Sequence, residues 1–200
     1  MSGLLQKGVE LSADEKRALL ADLLREKAAR AKTAPTSFAQ QRLWFLNRLE
    51  PDSPAYNIPR PLRMRGELNV SVLCRTFNAL LARHDVLRGR FELAEGQPVQ
   101  VITPRLEIDL PVIDLQDLSE SERETEVSRR AIADAEQPFD LTQAPLLRLC
   151  LLKLAAEEHV LLLTMHHIIS DGWSMGVLVR EMAAVYQALD AQQPIEKYGN

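Results

Sequence analysis

A buried-looking run, Val160-Leu161-Leu162-Leu163, leads into Met165-His166-His167-Ile168-Ile169-Ser170-Asp171-Gly172-Trp173-Ser174. These residue types suit proton handling beside an acyl group. Histidine has an ordinary pKa near 6.5, so His166 or His167 could take or give a proton at neutral pH. Asp171 could orient an imidazole or pair with a buried arginine. Gly172 permits tight turning and close approach of a substrate. The backbone N–H groups of Gly172 and Trp173 fall where a helix starts, which favours developing negative charge. A plainer reading also fits: two histidines at a sheet rim, bonded to backbone, with Asp171 as a helix cap.

The element carrying the histidines decides how they can act. If a strand runs through His167, then His159, Leu161, Leu163, Met165 and His167 share one face. Leu162, Thr164, His166 and Ile168 share the other. The histidines then cannot both serve one substrate atom: one does chemistry and the other supports it. Trp173 and Ser174 open the next helix. His84 is expected at a helix end and His159 exposed at a strand start.

The remaining elements must hold this stretch. Ser12-Ala13-Asp14-Glu15 is a capping-box pattern before a helix with Leu19, Leu20, Leu23 and Leu24 on one face and charge through Lys27 and Arg30. Thr33-Ala34-Pro35-Thr36 breaks that helix, so residues 1–36 read as an N-terminal linker or docking helix. A second cap at Ser37 opens a helix to about Leu49, with Leu43, Trp44, Leu46 and Leu49 as its apolar side. Pro61 to Leu68 alternates as a strand does. Asn69 caps a helix whose stripe is Val70, Leu73, Cys74, Phe77, Leu80 and Leu81.

Leu87 to Leu93 and Val99 to Ile102 form a hairpin about Ala94–Pro98. Leu106 to Val112 is expected as a strand, and Ser119 caps a polar helix to about Glu136. Leu146 to Leu154 and His159 to His167 are apolar enough for central strands covered on both faces. A final helix runs from about Ser174 to Leu189. The fold class is α/β of the α+β type, a mixed or antiparallel sheet packed with helices.

Composition narrows the function classes. The chain is 46% hydrophobic and 26% charged with net charge −4, ordinary for a soluble domain. No basic cluster suggests nucleic acid, and no apolar run suits a membrane span. The N-terminus lacks a secretory pattern, so a cytoplasmic protein is expected. Cys74 and Cys150 read as buried free thiols, and no spacing suggests a metal site.

The central stretch resembles the His-His-x-x-x-Asp-Gly signature of nonribosomal peptide synthetase condensation domains, within the chloramphenicol acetyltransferase-like superfamily. Ser37-Phe38-Ala39-Gln40-Gln41-Arg42-Leu43-Trp44-Phe45-Leu46 resembles the family's first core motif. Arg83-His84-Asp85-Val86-Leu87-Arg88-Gly89-Arg90-Phe91 resembles the second, with Asp85 where glutamate is frequent and Gly89 where threonine is usual. The likeness covers about residues 35–190.

The resemblance implies an N-terminal lobe over residues 37–200, without the C-terminal lobe, its latch and its floor. It implies peptide-bond formation between a donor acyl or peptidyl thioester and an acceptor aminoacyl thioester. Donor and acceptor carrier proteins would deliver both on 4′-phosphopantetheine arms, with no cofactor bound directly. An adenylation domain would share the assembly line, and residues 1–36 could meet an upstream subunit. The match places His167 at the reaction centre, His166 in support of its loop, Ser174 by the substrate tunnel, and Trp173 either lining that tunnel or packing beneath it. It implies that Asp171 is a brace against an arginine of the second motif. Arg88 is the expected partner, being placed on the strand face opposite Leu87 and Phe91. Two other readings remain: a coenzyme A-type acyltransferase of the same superfamily, and a carrier-docking module inactive alone.

Overall fold

The computed structural model describes residues 12, 14–17, 19–20 and 31–193. Ser12 and Glu15 form the expected capping box: the Ser12 N–H donates to Glu15 Oε2 at 2.8 Å and the Glu15 N–H to Ser12 Oγ at 3.3 Å. Leu23, Leu24, Lys27, Arg30 and the tail from Pro194 lie outside the described residues.

The elements in order are β1 (Lys32–Pro35), α1 (Phe38–Leu49), β2 (Asn57–Pro59), β3 (Leu62–Arg65) and α2 (Val70–Arg83), then a 3₁₀ turn (Asp85–Arg88). They continue as β4 (Gly89–Ala94), β5 (Gln97–Ile102), β6 (Val112–Asp114), α3 (Glu120–Glu136), β7 (Leu147–Ala155), β8 (Glu158–His166) and α4 (Gly172–Asp190). A small sheet has the order β1-β5-β4. The larger one runs β2-β8-β7-β6, with β3 also paired to β8. Its pairs are antiparallel except β6 with β7, so the sheet is mixed as expected.

The β7–β8 hairpin is the spine, and its alternation sorts the core. Leu161, Leu163 and Met165 join Leu147 and Leu151 against Leu73, Phe77, Leu80 and Leu81 of α2 and Met175, Leu178, Met182 and Val185 of α4. Val160 and Leu162 turn the other way with Leu152 and Leu154, against Val127 of α3. Each core side chain buried this way is worth roughly 1.5–3 kcal/mol of apolar transfer. This two-sided cover explains why β8 reads as continuous apolar sequence. It also buries His159, expected exposed, because β3 pairs alongside it through Met64.

Several boundaries differ from the sequence expectation. Lys32–Pro35, expected as the break after the leader helix, is a strand in register with Val99–Ile102. Neither its length nor its composition marks it; only the free edge of β5 recruits it. The strand expected over Leu106–Val112 shrinks to Val112–Asp114, since before the Pro111 carbonyl, which accepts the Leu151 N–H of β7 at 2.8 Å, the chain pairs with no strand. The strand expected from Leu87 begins at Gly89, after the 3₁₀ turn that contains Arg88. The β4–β5 turn places Glu95 at φ 52° and Gly96 at φ 79°, the left-handed pair that fits a two-residue hairpin. Within α1, Leu43, Trp44 and Leu46 are half-buried, but Leu49 is exposed and no residue is fully buried.

Candidate functional site

Strand β8 ends at His166, and residues 167–169 form a turn before Asp171 caps α4. The turn separates the histidines more sharply than strand alternation would. His166 is 2% exposed, whereas His167 is exposed to solvent. The expectation that the strand includes His167 is therefore corrected: the Ile169 N–H returns to the His166 carbonyl at 3.1 Å, which closes the turn.

His166 is held as a neutral ring. Its Nδ1 accepts the Ile168 N–H at 3.1 Å, and Phe139 stands edge-on to the ring at 82°. Burial, then the charge of His167, pushes its pKa down to about 4. An unfolded chain binds a proton here near pH 6.5, where the folded one does not. Stability from this ring is thus complete above about pH 6.5 and falls with pH until the folded ring titrates near 4. The wild type is expected to lose about 2 kcal/mol more between pH 6.5 and pH 5 than a His166→Gln variant. Urea denaturation across that range measures it; parallel curves for the two proteins would refute it.

His167 is held from three directions. Its backbone N–H donates to the Tyr56 carbonyl at 2.8 Å. Its Nδ1 lies 2.7 Å from the Ser170 carbonyl. A carbonyl only accepts, so Nδ1 donates here, and whenever the ring is neutral Nε2 carries the lone pair. The adjoining Ile168 carbonyl accepts from Gln40 Nε2 at 3.3 Å. His167 lines an open groove of about 670 Å³ with Tyr56, Gln40, Arg42, Ser170 and Ser174. A ring with one nitrogen tied to a backbone carbonyl presents its other nitrogen, as proton transfer or amine positioning requires.

Asp171 takes the plainer of its roles. Its carboxylate accepts the Ser174 N–H at 2.7 Å as the α4 N-cap. That bond, and in smaller measure the charge of His167, holds its pKa below the usual carboxylate range. The carboxylate thus occupies the helix start where Gly172 and Trp173 were expected to greet an oxyanion. Gly172 has open space where a Cβ would stand, so no close contact demands glycine there.

The expected Arg88–Asp171 pair does not form. The Arg88 guanidinium lies between α2 and the hairpin and donates to the carbonyls of Leu81, Ala82 and Thr103, and to Asp85. Its position at the end of the 3₁₀ turn, not on the strand, aims it back at the open carbonyls of α2. His84 does end α2 as expected, and its Nε2 meets Glu181 of α4.

Trp173 is 78% exposed. It lines a second groove of about 270 Å³ with Met165, Ile169, Val177 and Leu178, separate from the one lined by His167. Ser174 borders both grooves. Sequence reasoning missed Tyr56, whose contribution to His167 is a backbone carbonyl without residue signature. It also missed Gln40, read only as part of a cap. Among the described residues no cluster of three or more His, Cys, Asp or Glu could hold a metal, and no helix is long and apolar enough to cross a membrane.

Comparison with known proteins matches residues 30–198 to the family model described as Condensation domain. A linear gramicidin synthase of Brevibacillus parabrevis is 49% identical over 77% of this chain and 2% of its own length. Chondramide synthase of Chondromyces crocatus is 46% identical over 82% of this chain and 4% of its own. Among solved structures, the starter condensation domain of rhizomide synthetase superposes with TM-score 0.76 at 30% identity, over 84% of this chain and 41% of that one. The first condensation domain of the calcium-dependent antibiotic synthetase, with a substrate analogue, gives TM-score 0.77 at 26% identity over 84% and 42%. The chain therefore spans a few per cent of those synthetases and about two fifths of those domains.

Proposed function

The chain belongs to the condensation-domain family, and on that premise we propose that it forms the N-terminal lobe of a nonribosomal peptide synthetase condensation domain. Residues 37–200 are the lobe and residues 1–36 a linker or docking segment for an upstream subunit. The complete domain makes an amide bond. The amine of an acceptor aminoacyl thioester attacks the carbonyl carbon of a donor acyl or peptidyl thioester. The carbon–sulfur bond breaks, the donor arm leaves as its thiol, and the nitrogen gives up a proton.

The observation that carries this reading is the contact of His167 Nδ1 with the Ser170 carbonyl at 2.7 Å. With Nδ1 committed to the Ser170 carbonyl, Nε2 is the ring atom left to hold or take the amine proton beside an open groove. His166 supports the turn, Asp171 caps α4, and Arg88 braces the end of α2. Ser174 borders the His167 groove and Trp173 the neighbouring one, while Gly172 leaves space at the helix start. Both substrates arrive on 4′-phosphopantetheine arms of donor and acceptor carrier proteins, so no cofactor is bound directly. An adenylation domain in the same cytoplasmic assembly line loads the acceptor.

The lobe alone is inactive on this reading, because its groove is open to solvent and positioning can contribute up to roughly 7–11 kcal/mol. The test is single-turnover condensation by the complete domain with both carriers loaded, followed by mass spectrometry of the acceptor carrier. A dipeptidyl acceptor is the expected product. Turnover of free acyl-coenzyme A with a soluble amine, and none with loaded carriers, would replace this reading with a coenzyme A-type acyltransferase. Carrier binding without condensation would leave a docking module.

A further inference from the structure

Gln40 sits where two networks meet. Its Oε1 accepts the Ser37 N–H at 2.9 Å, and its own N–H donates to Ser37 Oγ at 3.2 Å, which closes the capping box of α1. That assignment leaves the amide NH₂ free, and Nε2 donates to the Ile168 carbonyl at 3.3 Å, 128 residues away. Ser37 is anchored in turn. Thr36 is buried, and its Oγ1 donates to the Pro98 carbonyl of β5 at 2.8 Å, while Gln41 Nε2 donates to the Thr36 carbonyl at 3.2 Å. A line of bonds therefore runs from the small sheet through the α1 start to the carbonyl just after His167.

A helix cap needs the acceptor of this side chain and has no use for its donor. Glutamate serves equally at the third position of a capping box. The amide donor is explained only by the turn. Ile168 itself is 3% exposed, so its carbonyl lies where an unmatched acceptor would be costly.

We propose that Gln40 is a positioning residue for the condensation reaction: its amide holds the turn 167–169 so that the His167 ring keeps its bond to Ser170 and its Nε2 stays aimed into the groove. This rests on His167 acting in condensation as proposed above. Gln40 touches no reacting atom. Untied, the turn still closes through Ile169, but the imidazole gains freedom to rotate and to exchange tautomers. The loss falls on kcat, with carrier recognition unaffected.

Gln40→Glu separates the two roles, because it keeps the cap acceptor and removes the donor. Gln40→Leu removes both and serves where the first variant fails to fold. In the complete domain with loaded carriers, Gln40→Glu is expected to lower kcat ten-fold or more, with KM for each carrier and the thermal midpoint within error of wild type. A second readout needs no turnover. With ¹⁵N-labelled histidine, wild type should show His167 as a single Nδ1–H tautomer, and the variants an averaged signal. An unchanged kcat and a fixed tautomer in either folded variant overturn the proposal. So does a kcat loss that merely follows a lower thermal midpoint. If wild type makes no peptide, the functional reading fails while the tautomer spectra still decide whether Gln40 holds the ring.

Discussion

Replacing His167 with glutamine in the complete domain should lower kcat by about 10²–10⁴-fold, the usual contribution of one positioned acid–base group. KM for the two carriers should stay within a few-fold, since on the proposed reading the ring meets the reacting amine and not the carrier surfaces. The expectation follows from how the ring is held. Ser170 occupies Nδ1 and Tyr56 the backbone N–H, so Nε2 is the ring nitrogen left free for substrate. Glutamine can donate from a similar place but cannot accept and carry the proton.

The size also has a ceiling. Proximity of two tethered substrates can contribute more than one proton transfer does, so some condensation should survive. Rapid-quench assays of the variant against wild type give the ratio. A kcat within three-fold of wild type would remove His167 from the chemistry. His166→Gln gives the internal contrast: its ring is buried behind the turn and bonded to Ile168, so its loss should appear in stability more than in turnover.

What could be read before any coordinates divides along physical lines. Caps and stripes are local, so the starts of α1, α2 and α3 were legible from Ser37, Asn69 and Ser119, whereas α4 begins at Gly172, two residues before the expected Ser174. Continuous apolar sequence gave the β7–β8 hairpin, since both its faces are covered. Alternation assigned Leu161 and Leu162 to opposite cores, but it could not say where the strand stops. That depends on the Ile169 N–H folding back to His166. β1 was invisible because an edge strand of four residues needs only a partner, not a pattern. At the site, side chains with distinctive chemistry stood out, whereas the Tyr56 and Ser170 carbonyls that fix His167 have no residue signature at all.

Arg88 shows the same limit in its sharpest form, and leads to the second large effect. Arg88→Ala should destabilise the domain by about 3 kcal/mol in urea denaturation. The residue is 7% exposed, and its side chain serves the carbonyls of Leu81 and Ala82 at the end of α2 together with that of Thr103. Helix-end carbonyls have no partner within the helix, so the guanidinium does for α2 what a C-terminal cap would do. Its ion pair with Asp85, 2.6 Å long, adds little, because the Asp85 side chain is 48% exposed and solvent screens it. Arg88→Lys should recover less than half the loss, since one ammonium cannot reach three carbonyls spread around a planar fork.

Sequence placed Arg88 on a strand face opposite Leu87, and the family resemblance made it the expected brace of Asp171. The 3₁₀ turn rotates it away, and Asp171 spends its carboxylate on Ser174. The consequence is an absence of coupling. Effects of Arg88→Ala and Asp171→Ala on the denaturation midpoint should add in the double variant, as they do for residues that share no partner. A double variant clearly more stable than the sum would restore the brace and show that the signature aspartate is fixed through the second motif. Additivity would leave the two residues independent: Arg88 secures the helix that backs the sheet, and Asp171 secures the helix that follows the histidines.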